Sequence, residues 1–200
     1  MANAPKLIVG LGNPGGEHEN DRHNIGFMVA SAFVHEQNGD FKLWGTPKSS
    51  ELAQLTVSGE KVFCQKPMTF MNLSGDAVLQ VAAFYKILPE DICVIHDELD
   101  IPFGEVRLKV GGGDGGHNGL KSITKVLGTS EYSRIRMGIG RPPHPQMDVA
   151  DFVLSSFSDK EFETVDSMID QGIRGITAFI DGADKFVNEM NSMNQRKKEA

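Results

Sequence analysis

Six residues near the start of the chain, Lys6-Leu7-Ile8-Val9-Gly10-Leu11, form a short apolar, β-branched run that stops at Gly12-Asn13-Pro14-Gly15. A run of this kind, closed by a turn, is the mark of a strand buried on both faces, and such strands belong to sheets covered by helices on either side. The pattern recurs. Ile92-Cys93-Val94-Ile95 is a second buried run ending at His96-Asp97-Glu98. Glu105–Val110 is another strand, feeding the glycine-rich Gly111-Gly112-Gly113-Asp114-Gly115-Gly116, and Arg134–Ile139 is a further one.

Between these runs the spacing changes to that of helices. Ile25, Met28, Val29, Ala32 and Phe33 share one face over about residues 24–35, and Ala77, Val78, Val81, Ala82 and Tyr85 share one over 75–85, with Pro89 beyond it. Leu120–Leu127 is a short helix closed by Gly128. Ser158-Asp159-Lys160-Glu161 matches a capping box opening a long helix toward Phe179, and 184–193 is the last helix. Leu52–Val57 and Lys61–Gln65, separated by Ser58-Gly59-Glu60, form a hairpin. Strands alternating with helices predict an α/β chain: a single-domain three-layer α/β/α sandwich with a mixed, largely parallel central sheet. No linker or repeat divides residues 1–200, and residues 194–200 are expected to be a frayed tail.

Length and composition agree with one soluble domain: 200 residues, 40% hydrophobic and 24% charged, with no apolar run near the ~18–20 residues of a membrane helix. The N-terminus lacks the layout of a signal peptide. Cys64 and Cys93 lie in apolar strands without metal-type spacing, so buried thiols in a reducing, cytoplasmic compartment are expected. The net charge of −7 argues against a polyanionic partner until its distribution is considered. Phe103–Pro145 carries +4, through Arg107, Lys109, Lys121, Lys125, Arg134, Arg136 and Arg141, and the rest carries −11. A cationic face that binds phosphate and an ordinary solvated surface both fit that window.

Gly10-Leu11-Gly12-Asn13-Pro14-Gly15 fits the G-x-G-x-x-G pattern of dinucleotide sites. The helix, however, does not open at the glycines, and the acidic residue at the right distance, Glu36, falls in or at the end of a helix rather than at a strand end. A nucleotide cofactor is therefore not expected. More telling are the polar residues beyond the strand ends: Asn13 after the first, Asp97 after the 92–95 strand, His117 and Asn118 after the glycine loop. His23 stands where the first loop passes into a helix. Singly, each has an ordinary structural explanation. Together, beyond the carboxyl ends of parallel strands, they can share one cleft. A His held by an Asp is a tuned general base, and Asn side chains offer N–H donors to a developing oxyanion or a substrate amide. With no nucleophile elbow and no metal-ligand spacing, water is the natural nucleophile, and hydrolysis of an acyl ester or amide follows.

Several motifs also resemble one family. Leu11-Gly12-Asn13-Pro14-Gly15, Arg22-His23-Asn24-Ile25-Gly26, Lys66-Pro67-Met68-Thr69-Phe70-Met71-Asn72-Leu73-Ser74-Gly75, His96-Asp97-Glu98-Leu99-Asp100, Gly111–Gly119 with His117-Asn118-Gly119, and Arg136-Met137-Gly138-Ile139-Gly140 stand in the order found in the bacterial-type peptidyl-tRNA hydrolases. The resemblance spans about residues 6–190. It implies a monomeric, cofactor-free and metal-independent cytoplasmic enzyme that cleaves the ester of peptidyl-tRNA and recycles tRNA released prematurely from ribosomes.

By that resemblance His23 is the catalytic base and Asp97 its supporting carboxylate. Asn13, Asn72 and Asn118 hold peptide and terminal nucleotide or stabilise the reacting carbonyl, with His117 beside them. Phe70 and Met71 either wall the cleft or are ordinary core residues. Lys109, Lys121 and Arg136 fall where the family contacts tRNA phosphate. His18 occupies a first-loop position where relatives carry Tyr or Phe, and its ring would stack with less apolar area. Two other readings fit parts of this pattern: a non-catalytic RNA-binding protein of the same fold, and a small-molecule hydrolase.

Overall fold

Residues 4–195 are described by the structure, a computed structural model. The strands are β1 (Lys6–Gly10), β2 (Lys42–Trp44), β3 (Ser50–Val57), β4 (Glu60–Pro67), β5 (Ile92–Glu98), β6 (Val106–Val110) and β7 (Ser133–Gly138). They form one sheet in the order β2-β3-β4-β1-β5-β7-β6. The four central strands, β4, β1, β5 and β7, run parallel, and the flanking pairs β2–β3, β3–β4 and β6–β7 are antiparallel. The expected mixed sheet is present, with its parallel character concentrated in the centre.

The helices are α1 (Ile25–Glu36), α2 (Ser74–Tyr85), α3 (Asn118–Leu127), α4 (Val149–Val153), α5 (Phe162–Ile180) and α6 (Ala183–Gln195). One apolar layer joins α1, α5 and α6 to Ile8, Cys93, Ile95 and Ile135 of the sheet. The other joins α2 and α3 to Leu7, Val9, Ile92 and Val94. Adjacent residues of one strand thus feed opposite layers, which is why β1 and β5 are apolar without alternation. The expected tail beyond residue 195 lies outside the described residues.

Three sequence expectations shift in detail. Val57 pairs with Glu60, so the hairpin loop is only Ser58-Gly59, both at positive φ as a tight hairpin turn requires. The three-residue β2 and five-residue α4 carry too little periodicity to be read from sequence. The long helix begins at Phe162 rather than Ser158: the Glu161 carboxylate does accept from the Ser158 N–H and Oγ–H, both at 2.8 Å, but no Ser158 side-chain cap reaches a helix amide.

What positions the site is the contact of α1 with the ends of two strands. A Cβ on Gly26 would lie 2.4 Å from the Ile95 carbonyl oxygen and 2.5 Å from the Leu11 nitrogen, and one on Gly10 would lie 2.3 Å from the Gly26 oxygen. Backbone rests on backbone here, and the residues just before α1 hang over the end of β5. Overpacking costs about 1–3 kcal/mol, which outweighs the ~1 kcal/mol that alanine gains over glycine within a helix. Gly26→Ala is therefore expected to lower Tm, by up to roughly 8 °C in a chain of this size. A thermal melt showing no loss would mean that the helix sits farther from the sheet than described.

Candidate active site

Asp97, at the end of β5, is 4% exposed and carries the centre of the site. Its Oδ1 lies 2.8 Å from His23 Nδ1 and 2.9 Å from His117 Nε2. His23 belongs to the short 3-10 turn Arg22–Asn24 that leads into α1. His117 is the N-cap of α3, and its Nδ1 accepts from the Gly119 and Leu120 amides at 3.1 and 3.4 Å. Because Nδ1 accepts there, the ring hydrogen is on Nε2 and is donated to Asp97. His23 donates its Nδ1–H to the same oxygen, which leaves Nε2 as the nitrogen available to the cavity.

The electrostatics follow from these bonds. Burial works against the Asp97 charge, but the two imidazoles and their hydrogen bonds overcome it and hold the carboxyl well below its ordinary range. Burial likewise pulls His23 down, whereas the charge and hydrogen bond of Asp97, then the charge of Asp21, raise it, and the net shift is upward from 6.5. His96 behaves differently. Its Nδ1 donates to the Asp97 carbonyl at 2.8 Å and its Nε2 is buried without a partner. Burial first, then the neighbouring His117, lower it to about 3, so it stays neutral.

A second set of bonds builds the opposite wall. Asn24, 2% exposed, accepts from the Asn13 N–H and donates to the Asn13 carbonyl, both at 2.9 Å. The Asn13 side-chain oxygen accepts the Met71 N–H at 3.1 Å. With Oδ1 taken, the NH2 group of Asn13, a cavity-lining residue, is what remains of its amide as a donor. On the third side the Arg134 guanidinium is bound to the carbonyls of Gly113, at 2.8 Å, and Gly111. It braces a loop in which Gly111, Gly112, Gly115 and Gly116 all adopt positive φ, a path closed to most side chains.

These walls enclose a cavity of about 710 Å3, within the range of small-ligand sites. Asn13, His23, Phe70, Met71, Asn72, Asp97, His117 and Asn118 line it together with His96, Glu98, Leu99, residues 114–116, and Val149, Ala150, Val153 and Leu154.

Comparison with known proteins assigns the chain to a family. The model of the family described as peptidyl-tRNA hydrolase matches residues 7–200. A peptidyl-tRNA hydrolase of Desulfitobacterium hafniense is 44% identical over 188 residues, covering 93% of this chain and 99% of that one. One of Nocardia farcinica is 49% identical over 167 residues, covering 84% and 86%. The crystal structure of peptidyl-tRNA hydrolase from Acinetobacter baumannii superposes with a TM-score of 0.86 at 35% identity, over 98% of this chain and 97% of the other. The chain belongs to the peptidyl-tRNA hydrolase family.

Within this chain, eight of the residues singled out from sequence meet in one cavity. Phe70 is 72% exposed at the rim, so the core reading fails for it, whereas Met71 is both core and cavity wall. His18 is not among the lining residues. Its Nδ1 is bound at 2.7 Å to Asp21 Oδ2, a buried carboxylate that also takes the Ser156 hydroxyl. Lys109 and Arg136 lie outside the cavity on the β6–β7 ribbon and Lys121 is exposed on α3.

Lys109 pairs across the ladder with Arg134, and Arg107 with Arg136. Directly opposed residues project to the same face, so all four cations share the side away from Leu108 and Ile135. Arg136 is bound to Glu98 at 3.2 Å and Arg107 to Glu105 at 3.0 Å. Sequence reasoning missed the roles of Asn24, His96 and Arg134 and the wall made by α4. Asn24 stood inside a family motif and Arg134 inside an expected strand, yet their partners are distant in sequence.

His23, Asp97 and His117 also have ligand-type atoms within 4.8 Å of one another, a grouping invisible to sequence spacing. Their contacts fit N–H···O bonds, and the His117 nitrogen facing Asp97 carries the hydrogen that a metal would have to displace. The donor set therefore suits proton chemistry better than metal binding. Activity is expected to survive exhaustive chelation, with magnesium effects on RNA controlled separately. Activity lost to the chelator and restored by one particular divalent ion would overturn that expectation.

Proposed function

We propose that this chain hydrolyses the ester bond of peptidyl-tRNA by activating water with His23. The observation that carries this reading is the His23–Asp97 pair, which leaves His23 Nε2 as the acceptor available to a cavity where Asn13 presents an N–H donor. Water bonded to Nε2 gives up a proton as its oxygen adds to the ester carbonyl. The imidazolium that forms is stabilised by the buried Asp97 carboxylate. The developing oxyanion takes hydrogen bonds from amide donors at the cavity wall, Asn13 first, with Asn72 and Asn118 at the rim. Collapse breaks the bond to the terminal ribose oxygen, which recovers the proton from His23. Phe70 and the apolar groups of α4 offer surface to the peptide and terminal base.

The cationic face of the β6–β7 ribbon supports a role for Lys109 and Arg136, with Lys121 of α3, in holding phosphates of the tRNA body. Arg136 is joined to Glu98, itself a cavity residue, so this face adjoins the site. Release of deacylated tRNA from purified peptidyl-tRNA tests the activity directly, and its absence in folded protein would remove this function.

His23→Ala is expected to lower kcat by roughly 10²- to 10⁴-fold with little change in tRNA affinity. Catalysis needs neutral His23, so the rate should rise with pH through a midpoint above 6.5. Asp97→Asn removes the two larger causes that raise this midpoint and leaves burial, which lowers it, opposed only by the smaller effect of the Asp21 charge. Its acidic limb should therefore move to lower pH, with a plateau reduced less than in His23→Ala. An unmoved limb at unchanged rate would show that Asp97 does not support the base.

Ala variants of Lys109, Lys121 or Arg136 should raise KM for full-length peptidyl-tRNA and make its log–log salt dependence shallower by up to about one unit. Turnover of a minimal peptidyl-nucleotide should hardly change. Equal losses on both substrates would instead assign these residues to the active site or the fold.

A further inference from the structure

We propose that Arg22 is a positioning residue that fixes the outer wall of the cavity, α4 and Leu154, relative to His23. This rests on the reading of His23 as the base. Arg22 immediately precedes it in the same 3-10 turn, yet every contact described for its side chain lies at least 130 residues away in sequence. The guanidinium is bidentate to Glu161, with Nη1···Oε1 2.9 Å and Nη2···Oε2 3.0 Å, and Nε donates to Ser155 Oγ at 3.3 Å. Its carbon stands 4.9 Å from the ring centroids of both Phe152 and Phe157. Planar pairing and stacking of this kind use features of arginine that lysine lacks.

The backbone follows the same seam. Arg22 N–H donates to the Ser155 carbonyl at 3.0 Å, Phe157 N–H to the Asn20 carbonyl at 2.9 Å, and Asp21 forms a bridge with Ser156. Glu161 is in turn held by Ser158.

Val149, Ala150, Val153 and Leu154 line the cavity. Except for Pro142, residues 141–151, the first two of these included, are exposed, so this wall is anchored to the body mainly from Phe152 onward. Phe152 and Phe157 are buried, and Arg22 is bonded or stacked between them. Shifting that anchor would move the wall against which the ester must lie while leaving His23–Asp97 intact. Errors of about 1 Å in such placement can cost up to ~10²-fold in rate.

The test compares parent, Arg22→Lys, Arg22→Met, Glu161→Gln and the Arg22→Met/Glu161→Gln double variant, at a temperature where circular dichroism shows each fully folded. Turnover by the parent tests the function itself, and ratios to the parent test this inference. Arg22→Met is expected to lower kcat by about 10- to 10²-fold, with KM for full-length substrate within about twofold and the pH midpoint unmoved. Arg22→Lys should recover part of the loss. Glu161→Gln should lower kcat in the same way, and the double variant should be no worse than Arg22→Met alone. Should Arg22→Met not fold, Arg22→Lys and Glu161→Gln carry the test. Parent-like kcat in the folded variants would overturn the proposal, as would a shifted pH midpoint, which would place Arg22 on the base itself. Losses that multiply in the double variant would also overturn it, because the two residues would then not act as one unit.

Discussion

A carboxylate taken out of water costs several kcal/mol unless hydrogen bonds and opposite charge replace its solvation. Asp97 meets that demand with one oxygen that accepts from His23 and from His117, and much of the architecture is what brings those two rings together. His23 comes from the entrance to α1, on one face of the sheet, and His117 caps α3, on the other. The two layers therefore meet at the carboxyl end of β5. For α1 to reach that point its first turn must touch the strand ends without side chains between, as Gly10 and Gly26 allow. For α3 to reach it, the chain must turn through the glycine-rich loop that Arg134 braces. The tautomer of His117 is then set by secondary structure, since the helix amides claim Nδ1.

This arrangement explains which parts were legible in the sequence. The buried strands and main helices announce themselves by apolar runs and helical spacing, and strand-end polar residues at 13, 97 and 117–118 did converge. What sequence could not carry is the use to which each polar atom is put. Arg134 counts toward the cationic window, yet its guanidinium is largely committed to backbone carbonyls. Arg107 and Arg136 each have a carboxylate beside them. His18 was expected at the cleft and is instead tied to Asp21. Ser158 and Glu161 have the spacing of a capping box, but Arg22, 139 residues away, shares the carboxylate and the helix starts later. His18 and Arg107 find their partners two or three residues away, but for Arg134, Arg136 and Glu161 a long-range partner decides, and local pattern contains no trace of it.

The same pairing qualifies the charge distribution. An acidic chain can attract a polyanion only where cations are both grouped and available. On the β6–β7 ribbon Lys109 has no carboxylate partner among the described residues. Arg136 holds Glu98 through a single Nε contact at 3.2 Å, a weaker commitment than the fork of Arg22 on Glu161. Phosphate approaching this face would compete with Glu98 for Arg136, so binding at the ribbon and the setting of a cavity carboxylate are physically linked.

The choice of nucleophile rests on what the cavity lacks as well as on what it holds. Among its described lining residues there is no Ser, Thr, Cys or Lys. Both cysteines are buried elsewhere, and burial pushes the Cys64 thiol up to about 12 and Cys93 higher still, which leaves neither as a thiolate near neutral pH. Of the carboxylates, Asp97 is occupied by two N–H donors, and Glu98 accepts from Arg136 and from the Asp100 amide. Asp114 Oδ1 accepts the Gly116 N–H within the glycine loop. Hydrogen bonds of this kind stabilise a carboxylate and blunt it as a nucleophile, whereas water needs only an unprotonated nitrogen to receive its proton. His96 is the wrong candidate, since its free nitrogen is buried and too weakly basic. His117 has both nitrogens engaged. His23 has one nitrogen engaged with a buried carboxylate and the other available to the cavity, which is the condition general-base catalysis by water requires.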